Sequence, residues 1–427
     1  MMTQVLKARA GKITEEMEAV ALVEQVDVEL VRQGVAEGRI VIPRNINRKP
    51  FKYCGIGAGM RVKVNALIGT SSNRDDMTME ARKLRAAQDA GCDTFMDLST
   101  GSNIDAMRRQ TLALADVAVG CTTIYQAGQE AIEEYGSVVE MRTKDILDNI
   151  EKQAAEGMDF MAIHSAFNNS VLQVMQKTGR VTWVVSRGGA FITGWMLHNK
   201  KENPLFEHYD RILEILKAYD VTLSLGDAIR PGATADSLDG AQIQGLLVQG
   251  ELTRRAQTAG VQVMVEGPGH VPLNHVETTM KLQKRLCHNA PYFILGTLAT
   301  DVAPGYDNIT GAIGGAFAGA CGADFLCYLT PAEHLGLPLE EDVRTGVIST
   351  RIAAQIADVA RGHRQAVARE NEMARARVAM DMDRQIAAAL APEQLIAARE
   401  KGCGQHLCAA CDEGCAVREA ARYFGMA

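Results

Sequence analysis

The chain has 427 residues, 47% hydrophobic and 23% charged, with a net charge of −7. It is long enough for a large barrel plus an accessory domain, and its acidic balance without a dense basic block excludes a protein built to coat nucleic acid. The N-terminal MMTQVLKARAGKITEEME lacks an apolar secretory core and no run approaches a bilayer span, so a cytoplasmic protein with no membrane partner is expected.

Residues 1–60 form an N-terminal segment ending in PRNINRKPFKYCGIGAGM, whose Pro, Asn and Gly content reads as a loop leading into the main domain. Short apolar strands then alternate with helical patterns. The strand candidates are 61–69, 93–100, 117–125, 160–166, 182–186 (TWVVS), 221–227, 261–269, 292–301 and 323–330. Between them lie segments such as LFEHYDRILEILKAYD, with apolar residues three and four apart. Repeated alternation predicts parallel β/α units, and their extent favours a (β/α)8 barrel of the TIM type over 61–363, with an open doubly wound sheet as the alternative. Nine candidates compete for eight places. From 364 to 427 the pattern turns helical and charge-rich, which predicts a small C-terminal domain with its junction near residues 362–366.

Of ten cysteines, six are scattered singly in apolar surroundings, as small buried hydrophobes are. Cys403, Cys408, Cys411 and Cys415 cluster in the tail CGQHLCAACDEGC. The spacing of the last three lets thiolates converge on one metal centre, and three ligands would leave one iron of a cubane open. A structural zinc site with Cys403 or His406 as fourth ligand, and a redox dithiol, satisfy the same spacing.

Further candidates fall at predicted strand ends, where barrel enzymes carry their chemistry. VQVMVEGPGHVP presents Glu266 and His270, and ADFLCYLTPAEHLGLP presents His334. Two imidazoles from neighbouring strand ends can hold one divalent metal with open positions, or be satisfied structural histidines. VSRGGA offers Ser186, Arg187 and Gly188, and DAIRPG offers Asp227 and Arg230. A hydroxyl, guanidinium and free amide suit a phosphate, although a rim salt bridge would use the same residues. Met96 and Tyr125 also sit at strand exits. GIGAGM precedes a strand rather than following one, so it is no dinucleotide fingerprint, and TGAIGGAFAGACGA lacks a Walker lysine and reads as close helix packing.

With MDLSTG, SRGG, ENPL, YDVTLSLGD, RPG, EGPGHVP, APGYD and EHLGLP in this order, the chain resembles the phosphomethylpyrimidine synthase family of thiamin biosynthesis from about Val62 onward. The resemblance implies a radical S-adenosylmethionine carbon–carbon lyase: a barrel, a [4Fe–4S] cluster on Cys408, Cys411 and Cys415, and a divalent metal, zinc expected, on His270 and His334. It implies 5-aminoimidazole ribonucleotide as substrate, with Met96, Tyr125, His164, Ser186, Arg187, Gly188, Asp227, Arg230 and Glu266 in contact with it. Glu266 would hold or deprotonate the substrate. A homodimer and an external electron donor are implied as well.

Several positions depart from the family. Leu67 stands for a usual Asn, Phe293 for a Tyr, Asn308 for a His, Ala228 and Ile229 for Gly-Leu, and Thr297 for a Pro, while the last cysteine gap is one residue short. Losing hydrogen-bonding groups from the pocket while the phosphate and metal motifs stay predicts the same substrate with a different rearrangement. The expected product is 5-hydroxybenzimidazole, the lower-ligand base of anaerobic cobalamin. The alternative is the thiamin pyrimidine phosphate. A non-radical barrel enzyme with a zinc-stabilised tail and a non-catalytic binding protein are the other classes in view.

Overall fold

A computed structural model describes residues 2–400 and 415–424. Two short strands, β1 (Ile40–Val41) and β2 (Ile56–Gly57), pair antiparallel. Eight parallel strands follow: β3 (Lys63–Ile68), β4 (Thr94–Asp97), β5 (Ala118–Thr122), β6 (Phe160–Ile163), β7 (Thr222–Leu225), β8 (Val263–Gly267), β9 (Tyr292–Leu295) and β10 (Phe325–Cys327). Sequential pairing runs from β3 to β10, and β10 closes on β3 with Phe325 opposite Lys63 and Cys327 opposite Asn65. The expected (β/α)8 barrel is therefore present.

The strands are buried on both faces, which is why they read as short apolar runs rather than as alternations. Phe160, Met264, Phe293 and Phe325 fill the interior, with Phe293 stacked on Phe325 at 4.1 Å between ring centres. Gly120 makes room for this filling, since a Cβ there would stand 2.2 Å from the Phe160 ring. Val41, Cys54 and Ile56 join the same cluster beside Phe160 and Phe325, the first residues of their strands, and so seal the barrel at its amino-terminal end. Access is left at the carboxyl ends. Three helices, Gln4–Arg9, Glu15–Glu24 and Val28–Glu37, pack around their own core of Val5, Met17, Val20, Val31 and Ile40.

The ninth strand candidate, TWVVS, is a loop. Trp183 has φ of 47°, which breaks an extended run, and the amides of Val181 and Thr182 donate to the carboxylate of Asp236 at 2.8 and 3.0 Å instead of to a strand. The glycine-rich segment is the helix Asp307–Cys321, and its glycines do serve close approach: a Cβ on Gly314 would lie 1.9 Å from the Thr297 carbonyl oxygen.

The chain divides into two compact units, Met1–Ala357 and Asp358–Ala427, with the division inside the helix Glu340–Ala360. Among the described residues the second unit contains the helices Arg364–Val378, Met382–Ala388, Glu393–Glu400 and Ala416–Tyr423 and no strand. No helix among the described residues is long and apolar enough to cross a membrane.

Candidate active site

At the carboxyl ends of the strands opens a cavity of about 880 Å³, lined in part by Tyr125, Arg187, Arg230 and Glu333. A recess of about 160 Å³ shares Tyr125, Arg230 and Glu333 with it and reaches down to Met96, His164 and Glu266. Five of the residues singled out in the sequence thus meet in one place: Met96 from β4, Tyr125 from the helix Thr123–Tyr135, His164 beyond β6, Arg230 beyond β7 and Glu266 on β8.

Ser186, Gly188 and Asp227 are buried beside these residues. Ser186 lies at a helix start rather than a strand exit: it caps the helix Arg187–Asn199 and its hydroxyl oxygen accepts from the Gly189 amide at 3.2 Å. The same hydroxyl is 3.0 Å from Nε2 of His164. Gly188 is required by that contact, because a Cβ would stand 2.5 Å from the imidazole. The guanidinium of Arg187 lies over the ring of Tyr125, 5.3 Å from its centre. Free amides at a helix start, a hydroxyl and two guanidinium groups make a pocket suited to an anion.

Burial controls the charges here. It pulls His164 down to about 3, with Arg230 adding to the effect, so the ring is neutral and leaves Nδ1 without a protein partner. Asp227 is pushed up to about 6 by burial against the opposing pull of Arg230, and its carbonyl accepts from the Arg230 side chain at 3.3 Å. Glu266 is likewise raised, by burial first, then by the negative charge of Asp227. Ser224 on β7, fully buried, donates to Glu266 at 2.8 Å. The rest of the recess includes the apolar side chains of Leu67, Leu98, Phe293 and Leu295, and Phe293 is the cross-strand neighbour of Glu266 in the β8–β9 pair.

His270 and His334 lie outside this recess but close to each other, with ring centres 5.5 Å apart. They do not come from neighbouring strands: β9 runs between β8 and β10. The segment after β9 supplies a carboxylate to each ring, Asp301 to Nδ1 of His270 at 2.8 Å and Asp307 to Nδ1 of His334 at 2.9 Å. A carboxylate accepts, so each Nδ1 carries a proton, and the tautomer this selects for a neutral ring offers its lone pair at Nε2. Among the described residues no group of three or more His, Cys, Asp or Glu forms a metal cage. Two imidazoles fit a metal that keeps most positions open.

Cys403, His406, Cys408 and Cys411 lie outside the described residues. Cys415 is buried, caps the helix Ala416–Tyr423, and makes no capping hydrogen bond through its sulfur. In the barrel unit, burial pushes the thiols of Cys54, Cys121, Cys287 and Cys327 up to about 12, which favours their protonated form.

Ser224, Glu333, Asp301 and Asp307 were not singled out by sequence reasoning. Ser224 carried a usable signal as a hydroxyl between two leucines in a buried strand, and Glu333 directly precedes His334. The two aspartates sit within TDVAPGYD, which offers no local sign of their histidine partners.

A sequence profile described as the radical SAM ThiC family matches residues 3–422. The chain is similar to the 5-hydroxybenzimidazole synthase BzaB of Moorella thermoacetica, 68% identical over 425 residues and covering 100% of both chains. It is 63% identical to the protein of the same name from Eubacterium limosum, again over 100% of both chains. The phosphomethylpyrimidine synthase of Moorella thermoacetica is 53% identical, with 99% of each chain covered.

Proposed function

The chain belongs to the radical SAM ThiC family, and from that premise we propose that it converts 5-aminoimidazole ribonucleotide to 5-hydroxybenzimidazole. The observation that carries the choice is full-length identity of 68% and 63% to two 5-hydroxybenzimidazole synthases, against 53% to a phosphomethylpyrimidine synthase. The apolar Leu67 and Phe293, which line the same recess as Glu266, agree with it, because they remove hydrogen-bonding groups from the wall beside the reacting atoms.

Radical SAM chemistry implies a [4Fe–4S] cluster and S-adenosylmethionine, which when bound supply the hydrogen-abstracting radical. Cys408, Cys411 and Cys415 are the proposed cluster ligands, and the high thiol pKa values in the barrel unit support that assignment by favouring the protonated form of the buried cysteines there. Arg187, Arg230, Ser186 and the amide of Gly188 anchor the substrate phosphate. Tyr125, already paired with Arg187, and Met96 bound the nucleotide. Neutral His164 and Asp227 hold its polar edge. Glu266, raised in pKa and fixed by Ser224, takes or holds a proton on the imidazole amine. The recess excludes water from the rearranging ribose carbons.

His270 and His334 hold a divalent ion, zinc in this proposal, through their Nε2 atoms. The enzyme works as a homodimer fed by an electron donor. The unpaired cysteines among the described residues suit a reducing compartment, the cytoplasm.

The test is anaerobic incubation of reconstituted protein with S-adenosylmethionine, a reductant and 5-aminoimidazole ribonucleotide, with the product identified by mass. A phosphate-free hydroxybenzimidazole is expected. A phosphorylated pyrimidine would overturn the product assignment, and 5′-deoxyadenosine without either product would overturn the substrate. Turnover by Cys411→Ala would remove the radical mechanism.

A further inference from the structure

We propose that Asp301 and Asp307 are the positioning residues of the histidine pair: they set the affinity for the divalent ion without being its ligands. The proposal rests on the reading of His270 and His334 as a metal site.

Each carboxylate fixes one imidazole, and each is itself held. Asp301 accepts from the Thr234 amide at 2.8 Å and from the Thr234 hydroxyl at 2.9 Å, which ties it to the segment after β7. Asp307 is buried at the first turn of its helix and accepts from the Gly305 amide at 3.3 Å. The backbone secures the same geometry. His270 donates its amide to the Pro231 carbonyl at 3.1 Å, and the Leu298 amide donates to Gly269 at 2.8 Å, so the loops after β7, β8 and β9 are laced together. Neither Nε2 makes a protein hydrogen bond among the described residues.

Two consequences follow from charge and geometry. Each imidazole is locked in the tautomer that offers Nε2, and its ring plane is fixed before the ion arrives. The two carboxylates also bring negative charge up behind the rings, which complements a divalent cation while leaving its remaining coordination positions free. A third protein ligand would provide the same charge only by filling one of those positions. Asp301 and Asp307 therefore make the site tight and open at once.

The test measures zinc bound per chain in full-length, cluster-reconstituted protein, by equilibrium dialysis against buffered Zn(II) with elemental analysis. The variants are Asp301→Asn, Asp307→Asn and His270→Ala, with circular dichroism melting as the control for folding. Wild type is expected to bind one ion at the pair, and His270→Ala to lose it. Each Asn variant should bind about 10–100-fold more weakly with an unchanged melting curve. Wild-type affinity in both Asn variants would overturn the positioning role and leave the metal site standing. If wild type holds no ion that His270→Ala removes, the metal reading fails and this proposal with it. Should buried Asp307→Asn fail to fold, Asp301→Asn, at the more exposed carboxylate, decides the question alone.

Discussion

Ser224 on β7 donates its hydroxyl to Glu266 on β8 across 2.8 Å, between two buried strands of the barrel. That bond favours the charged carboxylate and opposes the rise that burial imposes on Glu266. Ser224→Ala should therefore push the Glu266 pKa further up. The acidic limb of kcat/KM is expected to move to higher pH, with a loss of about 1 kcal/mol, or ~5-fold, at neutral pH. A pH–rate profile under single-turnover conditions checks this, and an unmoved limb would count against Glu266 as the titrating group.

Asp227 acts on the same carboxylate with the opposite sign. Its pKa is pushed up to about 6 by burial, so it gains negative charge as pH rises through that value, and that charge makes Glu266 harder to ionise. Asp227→Asn removes the like charge and should shift the Glu266 limb to lower pH, opposite to Ser224→Ala. The two profiles measured side by side give the check. Shifts in the same direction would show that the pair does not couple as the geometry implies.

Arg187 lies over Tyr125 at the cavity mouth with no hydrogen-bonded carboxylate partner of its own among the described residues. Arg187→Met is expected to weaken binding of 5-aminoimidazole ribonucleotide by about 1.5–3 kcal/mol, or ~10–100-fold, and to leave binding of the phosphate-free nucleoside unchanged. Calorimetric titration with the two compounds separates the terms. Equal losses for both would move the phosphate elsewhere.

At Gly188 the argument is steric. A Cβ would press on His164 from 2.5 Å, so Gly188→Ala should displace the imidazole from the recess and abolish substrate binding while the barrel stays folded. Unaltered nucleotide affinity with an unchanged melting curve would show that the ring position is not needed.

Leu67 and Phe293 line the recess that holds Glu266, and Phe293 is stacked on Phe325 from β10. The double variant Leu67→Asn with Phe293→Tyr places an amide and a phenol in the recess. Each polar group changes transition-state stabilisation by about 1–3 kcal/mol, so the yield of 5-hydroxybenzimidazole should fall ~10-fold or more. Product analysis by mass is the measurement, and an unchanged product at an unchanged rate would place the determinant of product outside this wall.

The eight strands were readable because parallel strands buried on both faces leave compact apolar runs, as in VTLSLGD and VQVMVEGPG. TWVVS has the same composition and is a loop, because Asp236, distant in sequence, captures the amide and hydroxyl of its first residue, Thr182, together with the preceding Val181 amide. His270 and His334 could be picked out by residue type and turn context. Their carboxylate partners could not, since nothing within a few residues of Asp301 or Asp307 indicates which ring it meets. Ser186 was expected at a strand exit and instead caps a helix.

By itself the sequence determined the barrel class and the family, through local periodicity and an ordered set of motifs, and it marked three closely spaced tail cysteines as the expected seat of the cluster. Only the tertiary structure decided which groups share an environment. Leu67 and Phe293 lie far apart in the chain and face one recess because β10 closes on β3 and sets β9 two places away. Burial in that recess is what makes His164 neutral and raises Glu266 and Asp227. Spacing along a chain specifies local conformation, while desolvation and charge pairing depend on neighbours brought in from other strands.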